Sequence, residues 1–226
     1  LSLTLNTISR RKYSNLEIVV SDDNSSDETS AIIEGYKTKT NIPIYIYKHE
    51  PNGIGANWNN CVKYSKWDYI KFLFQDDTML PTCIEKMVSQ AVKYPEIGMI
   101  YSKRSFIYDN NEKNKDWIKN YSNLHNSWHE IEIENNKVFS GEILLKNKNL
   151  LEFPKNKSGE PTAVVLRREV FDKVGHFSKT LKQSLDLEYW YRLIKFFSVL
   201  FINEELVTFR LHQHQATNVN KGKDAS

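Results

Sequence analysis

Residues 69–81 read Tyr69-Ile70-Lys71-Phe72-Leu73-Phe74-Gln75-Asp76-Asp77-Thr78-Met79-Leu80-Pro81. Tyr69 to Phe74 is aromatic and aliphatic, interrupted only by Lys71. Such a run is too short for a helix of its own and suits a buried strand. Two carboxylates follow at once, and Pro81 fits the first turn of a helix. In an open α/β sheet, ligands bind beyond the carboxyl ends of the strands, which is where Asp76 and Asp77 would sit. Adjacent like charges are costly unless water, donors or a cation neutralise them. Taken alone the pair also reads as a solvated turn, so the rest of the chain has to decide.

Working outward, the same grammar repeats. Leu16 to Val20 is a strand that ends in Ser21-Asp22-Asp23-Asn24-Ser25. Ser26 or Asp27 can cap a helix through Ala31, Ile32, Ile33 and Tyr36. Ile42 to Tyr47 is a strand, and a helix carrying Trp58, Cys61 and Val62 leads into the organising strand. A helix from about Pro81 to Tyr94 and a strand from Gly98 to Tyr101 follow. This alternation predicts an α/β fold with a mostly parallel sheet and helices on both faces. Residues 108–139 change character: Asn, Lys and Glu dominate, which predicts a surface insertion, partly helical. Beyond it come a short helix from Ser140 to Leu151, a strand Ala163–Leu166 and a helix Arg167–Val174 closed by Gly175. A helix Asp186–Phe197 and two strands, Val199–Ile202 and Leu206–Leu211, complete the pattern. The reading is one domain with a first part (1–107), the insertion (108–139), a second part (140–216) and a polar tail (217–226).

Composition narrows the classes. With 226 residues, 40% hydrophobic and 26% charged, the chain is an ordinary soluble globular sequence. A net charge of +3 is too small to argue for a nucleic-acid partner, although it permits loose attraction to an anionic membrane surface. Cys61 and Cys83 lack metal spacing and read as reduced core residues, which suits the cytoplasm. No apolar run reaches membrane-spanning length, and no signal peptide is visible.

Three acidic clusters therefore stand at element boundaries: Asp22-Asp23, Asp76-Asp77, and Asp186 with Glu188. Hard oxygen ligands of this kind suit Mg²⁺ or Mn²⁺ bound together with a substrate's phosphates. At this point the motifs resemble glycosyltransferase family 2, the inverting transferases of GT-A fold. Asn15 to Asp27 is similar to the nucleotide-binding signature of that family, and Tyr69 to Pro81 to its metal-binding strand. Gly159-Glu160-Pro161-Thr162 with Asp186 to Leu193 resembles the acceptor-side region with its base. Phe209-Arg210-Leu211-His212 is similar to the closing R-x-H segment. The four occur in the family's order and span nearly the whole chain. Gln75 departs from the pattern, standing where many members carry the first acid of D-x-D. The family also begins with a strand ending in a Pro-x-Tyr-Asn-like turn, and this sequence is expected to start after it.

By resemblance, Asp23 hydrogen-bonds the nucleobase, within a nucleotide-sugar-binding set of Asp22, Asp23, Asn24, Asn57, Asp76 and His212. Asp77 ligates a divalent cation, Mn²⁺ or Mg²⁺, while Asp76 contacts the ribose or supports the metal shell. Asp186, six residues before Arg192, is the catalytic base. The implied activity is transfer of a sugar from a nucleotide-sugar donor, UDP-linked by expectation, to a glycan or lipid-linked acceptor, with inversion. Bacterial surface polysaccharide synthesis in the cytoplasm, with peripheral membrane association, is the family-level expectation; oligomeric state is left open. The alternatives are a non-catalytic transferase-like binding module and a nucleotidyltransferase, which also uses paired Asp and a cation. Bland readings stand beside these. Asp22 to Ser25 could be an Asx-turn and cap, Asp186 an N-cap, and Glu188 with Arg192 a helix ion pair. Trp58 and Trp190 suit the core.

Overall fold

Strands form where the apolar runs stand, and helices where apolar residues recur at three and four. The structure is a computed structural model, described for residues 1–108 and 115–212. In chain order the elements are α1 (Ser2–Ser9), β1 (Ile18–Asp22), α2 (Thr29–Lys37), β2 (Ile44–Lys48), α3 (Ile54–Tyr64), β3 (Tyr69–Lys71), β4 (Thr78–Met79), α4 (Cys83–Lys93) and β5 (Ile97–Ile107). After these come α5 (Lys115–Ser122), β6 (Val138–Phe139), α6 (Gly141–Leu145), β7 (Val164–Arg167), α7 (Glu169–Val174), α8 (Leu185–Leu193) and β8 (Ser198–Arg210).

β1 and β2 pair in parallel, from Ile18 opposite Ile44 to Asp22 opposite Lys48. The larger sheet runs β3-β7-β5-β8-β4, with β6 also on β8. Its longest ladder, β5 with β8, is parallel, as βα alternation requires. Every antiparallel pairing involves β7 or β8, the return strands from the second part of the chain.

The central strands are buried on both faces, and their residues alternate between two cores. Met99 and Tyr101 of β5, Val164 and Leu166 of β7, and Val199 and Phe201 of β8 enter one core, against Tyr189, Trp190 and Leu193 of α8. Ile100, Val165 and Leu200 enter the other, against Cys83, Met87 and Ala91 of α4. Helices thus cover both faces, and Trp190 is a core residue, as its place in the α8 apolar stripe implies.

Several elements differ from their sequence reading: the helix expected from Ser140 to Leu151 covers only Gly141–Leu145, and the strand expected from Gly98 to Tyr101 runs Ile97–Ile107. In the organising stretch, strand pairing stops at Lys71. Phe72 to Asp77 turn, and Thr78–Met79 rejoins the sheet antiparallel to β8. The two strands expected after residue 198 are one strand of 13 residues. Its polar middle, Asn203 to Glu205, is exposed, and register shifts against β5 absorb it. The insertion is not wholly on the surface: Leu124, Trp128 and Ile133 are buried, and Trp128 packs into the α8-side core. Tyr121, Leu124 and Trp128 stand at a helical spacing, a signal that the surrounding Asn, Lys and Glu residues outweighed in the sequence reading.

Among the described residues β1 and β3 each pair with one strand only. A groove of about 1580 Å³ separates them, bordered by every residue from Asn15 to Asp23 and from Trp67 to Asp77. Consecutive rather than alternate lining means that strand edges, not one face, border this groove. It extends to the carboxyl ends of both strands, where the acidic turns lie.

Candidate active site

Asp22 closes β1 and is buried. Its Oδ1 accepts from the Ser25 backbone N–H at 2.9 Å, and its Oδ2 lies 3.9 Å from Lys48 Nζ. Burial alone would raise its pKa; the hydrogen bonds from Ser25 outweigh that and hold it below the usual carboxylate range. Asp22 therefore builds the turn, and half-buried Asp23 borders the groove beside it. Asn24 adopts a left-handed conformation, φ 70°, and is exposed, which makes it a turn former. Asn57 borders the groove from α3, and its Oδ1 lies 3.3 Å from His49 Nε2. The same His49 nitrogen meets Ser21 Oγ at 3.0 Å, and Asn60 Nδ2 donates to Ser21 Oγ at 2.9 Å. The His49 and Asn60 parts of this network had no motif to announce them.

The second acidic pair splits by environment. Asp77 is buried, and both its oxygens are taken: Thr162 Oγ1 donates to Oδ2 at 2.5 Å and the Arg210 backbone N–H to Oδ1 at 3.1 Å. Burial raises its pKa to about 6. Half-buried Lys71, whose pKa desolvation lowers, donates to the Thr162 carbonyl just behind. Asp77 thus locks the acidic turn to residues 162 and 210. Asp76, 37% exposed, presents Oδ2 to His212 Nε2 at 3.1 Å, and its backbone carbonyl accepts from Arg210 Nε at 3.3 Å. Both carboxylates border the groove; Asp76 is the more exposed of the two, and Asp77, the expected cation ligand, has both oxygens accepting protein hydrogen bonds. Among the described residues no cluster of three or more His, Cys, Asp or Glu is placed to enclose an ion. Asp76 and His212 together offer one oxygen and one nitrogen ligand, a donor set that fits Mn²⁺ with the remaining positions filled by phosphate and water.

Asp186 stands in the first turn of α8, half-buried and bordering the same groove. Asn156 Nδ2 donates to its Oδ2 at 2.8 Å. Asn156 is itself held, because its Oδ1 accepts from the Gly159 N–H at 2.8 Å and the Ser158 N–H at 3.2 Å. Trp190 Nε1 donates to the Gly159 carbonyl at 2.9 Å. Gly159 sits at φ 102°, and a Cβ there would come within 2.5 Å of Arg104 Nη1, so the loop needs glycine. Buried Arg104 lies 2.7 Å from Glu160. Burial first, then the negative charge of Glu160, raises the Asp186 pKa to about 6. At neutral pH the group is an ionised carboxylate and a stronger base than an ordinary Asp. Glu188 accepts from Arg192 Nη2 at 2.9 Å, and Arg192 also donates to the carbonyls of Val174 and His176. That pair braces α8 against α7, as the helix-pair reading has it.

Comparison with known proteins bears on this arrangement. The model of the family described as glycosyl transferase family 2 matches residues 1–175. An uncharacterized protein of Mycobacterium tuberculosis is 29% identical over 203 residues, 89% of this chain and 60% of that protein. An uncharacterized glycosyltransferase of Rickettsia typhi is 29% identical over 91% of this chain and 58% of its own length. The chain thus spans about 60% of the length of these curated relatives. Among solved structures, Staphylococcus aureus TarS 1-349 in complex with UDP-GlcNAc superposes with TM-score 0.65 at 16% identity, covering 94% of this chain and 55% of that one. A mannosyltransferase from Pyrobaculum calidifontis, in complex with GDP-Man and Mn²⁺, gives TM-score 0.64 at 12% identity over 96% of this chain and 55% of that one. These likenesses show the fold, which is GT-A. No helix among the described residues is long and apolar enough to cross a membrane.

Proposed function

We propose that this chain, which belongs to glycosyl transferase family 2, moves a sugar from a nucleotide-sugar donor to an acceptor hydroxyl with inversion. One observation carries this reading: Asp23, Asp76 with His212, and Asp186 with Asn156 all border one groove. Asp23 is the residue for the nucleobase. Asp76 and His212 are the residues for the diphosphate and its cation. When bound there, Mn²⁺ or Mg²⁺ supplies positive charge at the diphosphate. Asp186 takes the proton of the acceptor hydroxyl while that oxygen forms a bond to the anomeric carbon. The bond from that carbon to the diphosphate oxygen breaks, and a nucleoside diphosphate leaves.

A relative in Campylobacter jejuni, 32% identical over 40% of this chain, bears the name GalNAc(5)-diNAcBac-PP-undecaprenol beta-1,3-glucosyltransferase. That name and the complex of TarS with UDP-GlcNAc support a UDP-sugar donor and a glycan or lipid-linked acceptor, and with them a place at the inner face of a membrane.

Calorimetric titration tests the donor. UDP-GlcNAc or GDP-mannose is expected to bind, with affinity rising in Mn²⁺ and falling in EDTA, because the diphosphate and the protein share the cation. Binding of nucleoside triphosphates alone, with release of pyrophosphate, would favour a nucleotidyltransferase; no nucleotide binding at all would favour a non-catalytic module.

A further inference from the structure

We propose that Phe153 and Tyr121 form an acceptor subsite, an aromatic platform that takes the ring of an acceptor sugar; this rests on the transferase reading above. Phe153 is 68% exposed, a large apolar ring left in water. Its backbone is nevertheless held on both sides. Lys157, itself buried, donates from Nζ to the carbonyls of Glu152 and Pro154, the two residues flanking Phe153, at 3.2 Å each. Tyr191 Oη, from α8, lies 2.8 Å from the carbonyls of both Leu150 and Lys155. Burying an ammonium to fix a loop is costly, and the loop it fixes keeps an aromatic ring at the surface.

The position explains the expense. Phe153 and Tyr121 border the groove that contains Asp186. Three residues after Phe153, Asn156 donates to Asp186. The rings of Tyr121 and Phe153 meet edge to face, with centroids 6.3 Å apart and planes at 69°, which sets the ring's orientation. An aromatic face carries negative charge density, and the C–H face of a pyranose is its complement. A sugar stacked there would sit on the groove that Asp186 also borders, where a proton must be removed. The chemistry selects a carbohydrate acceptor over a lipid surface. Lys146 and Lys148 on the same segment are paired with Glu142 and Glu130, which leaves Lys155 as its one exposed lysine without an ion pair among the described residues, less basic charge than attraction to anionic lipid relies on.

Saturation-transfer NMR tests this on the whole chain with UDP and Mn²⁺, using methyl glycosides of glucose, galactose and N-acetylglucosamine as probes. Wild type should transfer saturation to the ring protons of at least one glycoside. Phe153→Ala should weaken that binding about tenfold or more, Phe153→Trp should restore it, and UDP affinity should stay constant across all three proteins. Equal glycoside binding by wild type and Phe153→Ala, or no glycoside binding to any, would overturn the platform. So would Phe153-dependent binding to phosphatidylglycerol vesicles in place of glycosides. Loss of UDP binding in wild type is a separate result that counts against the transferase reading, since the glycoside signals are read independently of it.

Discussion

Asp186→Asn is expected to lower sugar transfer by about 10²- to 10⁴-fold, the usual worth of a positioned general base, while leaving fold and donor binding intact. The substitution keeps the shape of the side chain and an oxygen to accept from Asn156 Nδ2, which lies 2.8 Å from the present carboxylate. What it removes is the ability to accept a proton. With its pKa raised to about 6, the wild-type group is ionised above that pH, so transfer should fall as pH drops through 6. Stability should move the opposite way. A carboxyl whose folded pKa lies above its unfolded value contributes stability below the unfolded pKa and loses it as pH rises through the folded one. Differential scanning should therefore find Asp186→Asn melting above wild type at pH 7.5, with the gap closing near pH 4. A mutant that transfers at near wild-type rate would make Asp186 a structural partner of Asn156 and nothing more.

The second large effect separates the two adjacent carboxylates. Asp76→Asn should weaken UDP binding in Mn²⁺ by about 10- to 100-fold and change little in EDTA. Asp77→Asn should keep the cation-dependent affinity. In the folded chain Asp77 faces Thr162 Oγ1 and the Arg210 N–H, and an Asn oxygen and amide can satisfy both, since a hydroxyl also accepts. If cation dependence disappears in Asp77→Asn and survives in Asp76→Asn, the ligand is Asp77 after all. Calorimetry of both variants with and without Mn²⁺ reads the difference directly.

The contrast between Asp76 and Asp77 also shows where sequence reading stopped. The strand, the acidic turn and the location at a strand's carboxyl end were legible, because apolar runs and breaker residues are local signals. Which of two neighbouring carboxylates is buried under protein hydrogen bonds depends on Thr162 and Arg210, 85 and 133 residues from Asp77, and no local pattern encodes that. Asn24 was read with the binding set because it stands inside a motif; what the structure adds is its left-handed backbone and its exposure. Asn156 carried no signal, since an Asn in a loop is ordinary until Asp186 is brought beside it. The alternation of β7 and β8 between two cores, by contrast, follows from runs of consecutive apolar residues, which in α/β proteins mean burial on both faces.

The proposed transfer is a single displacement with inversion, and hydrolysis of the donor tests this without knowledge of the acceptor. An α-linked UDP-sugar, incubated with the protein and Mn²⁺ and followed by proton NMR faster than mutarotation, gives water the role of the acceptor hydroxyl. The account predicts that UDP and the β-anomer of the free sugar appear together, and that Asp186→Asn abolishes both. First appearance of the α-anomer would contradict it, as would undiminished release by Asp186→Asn.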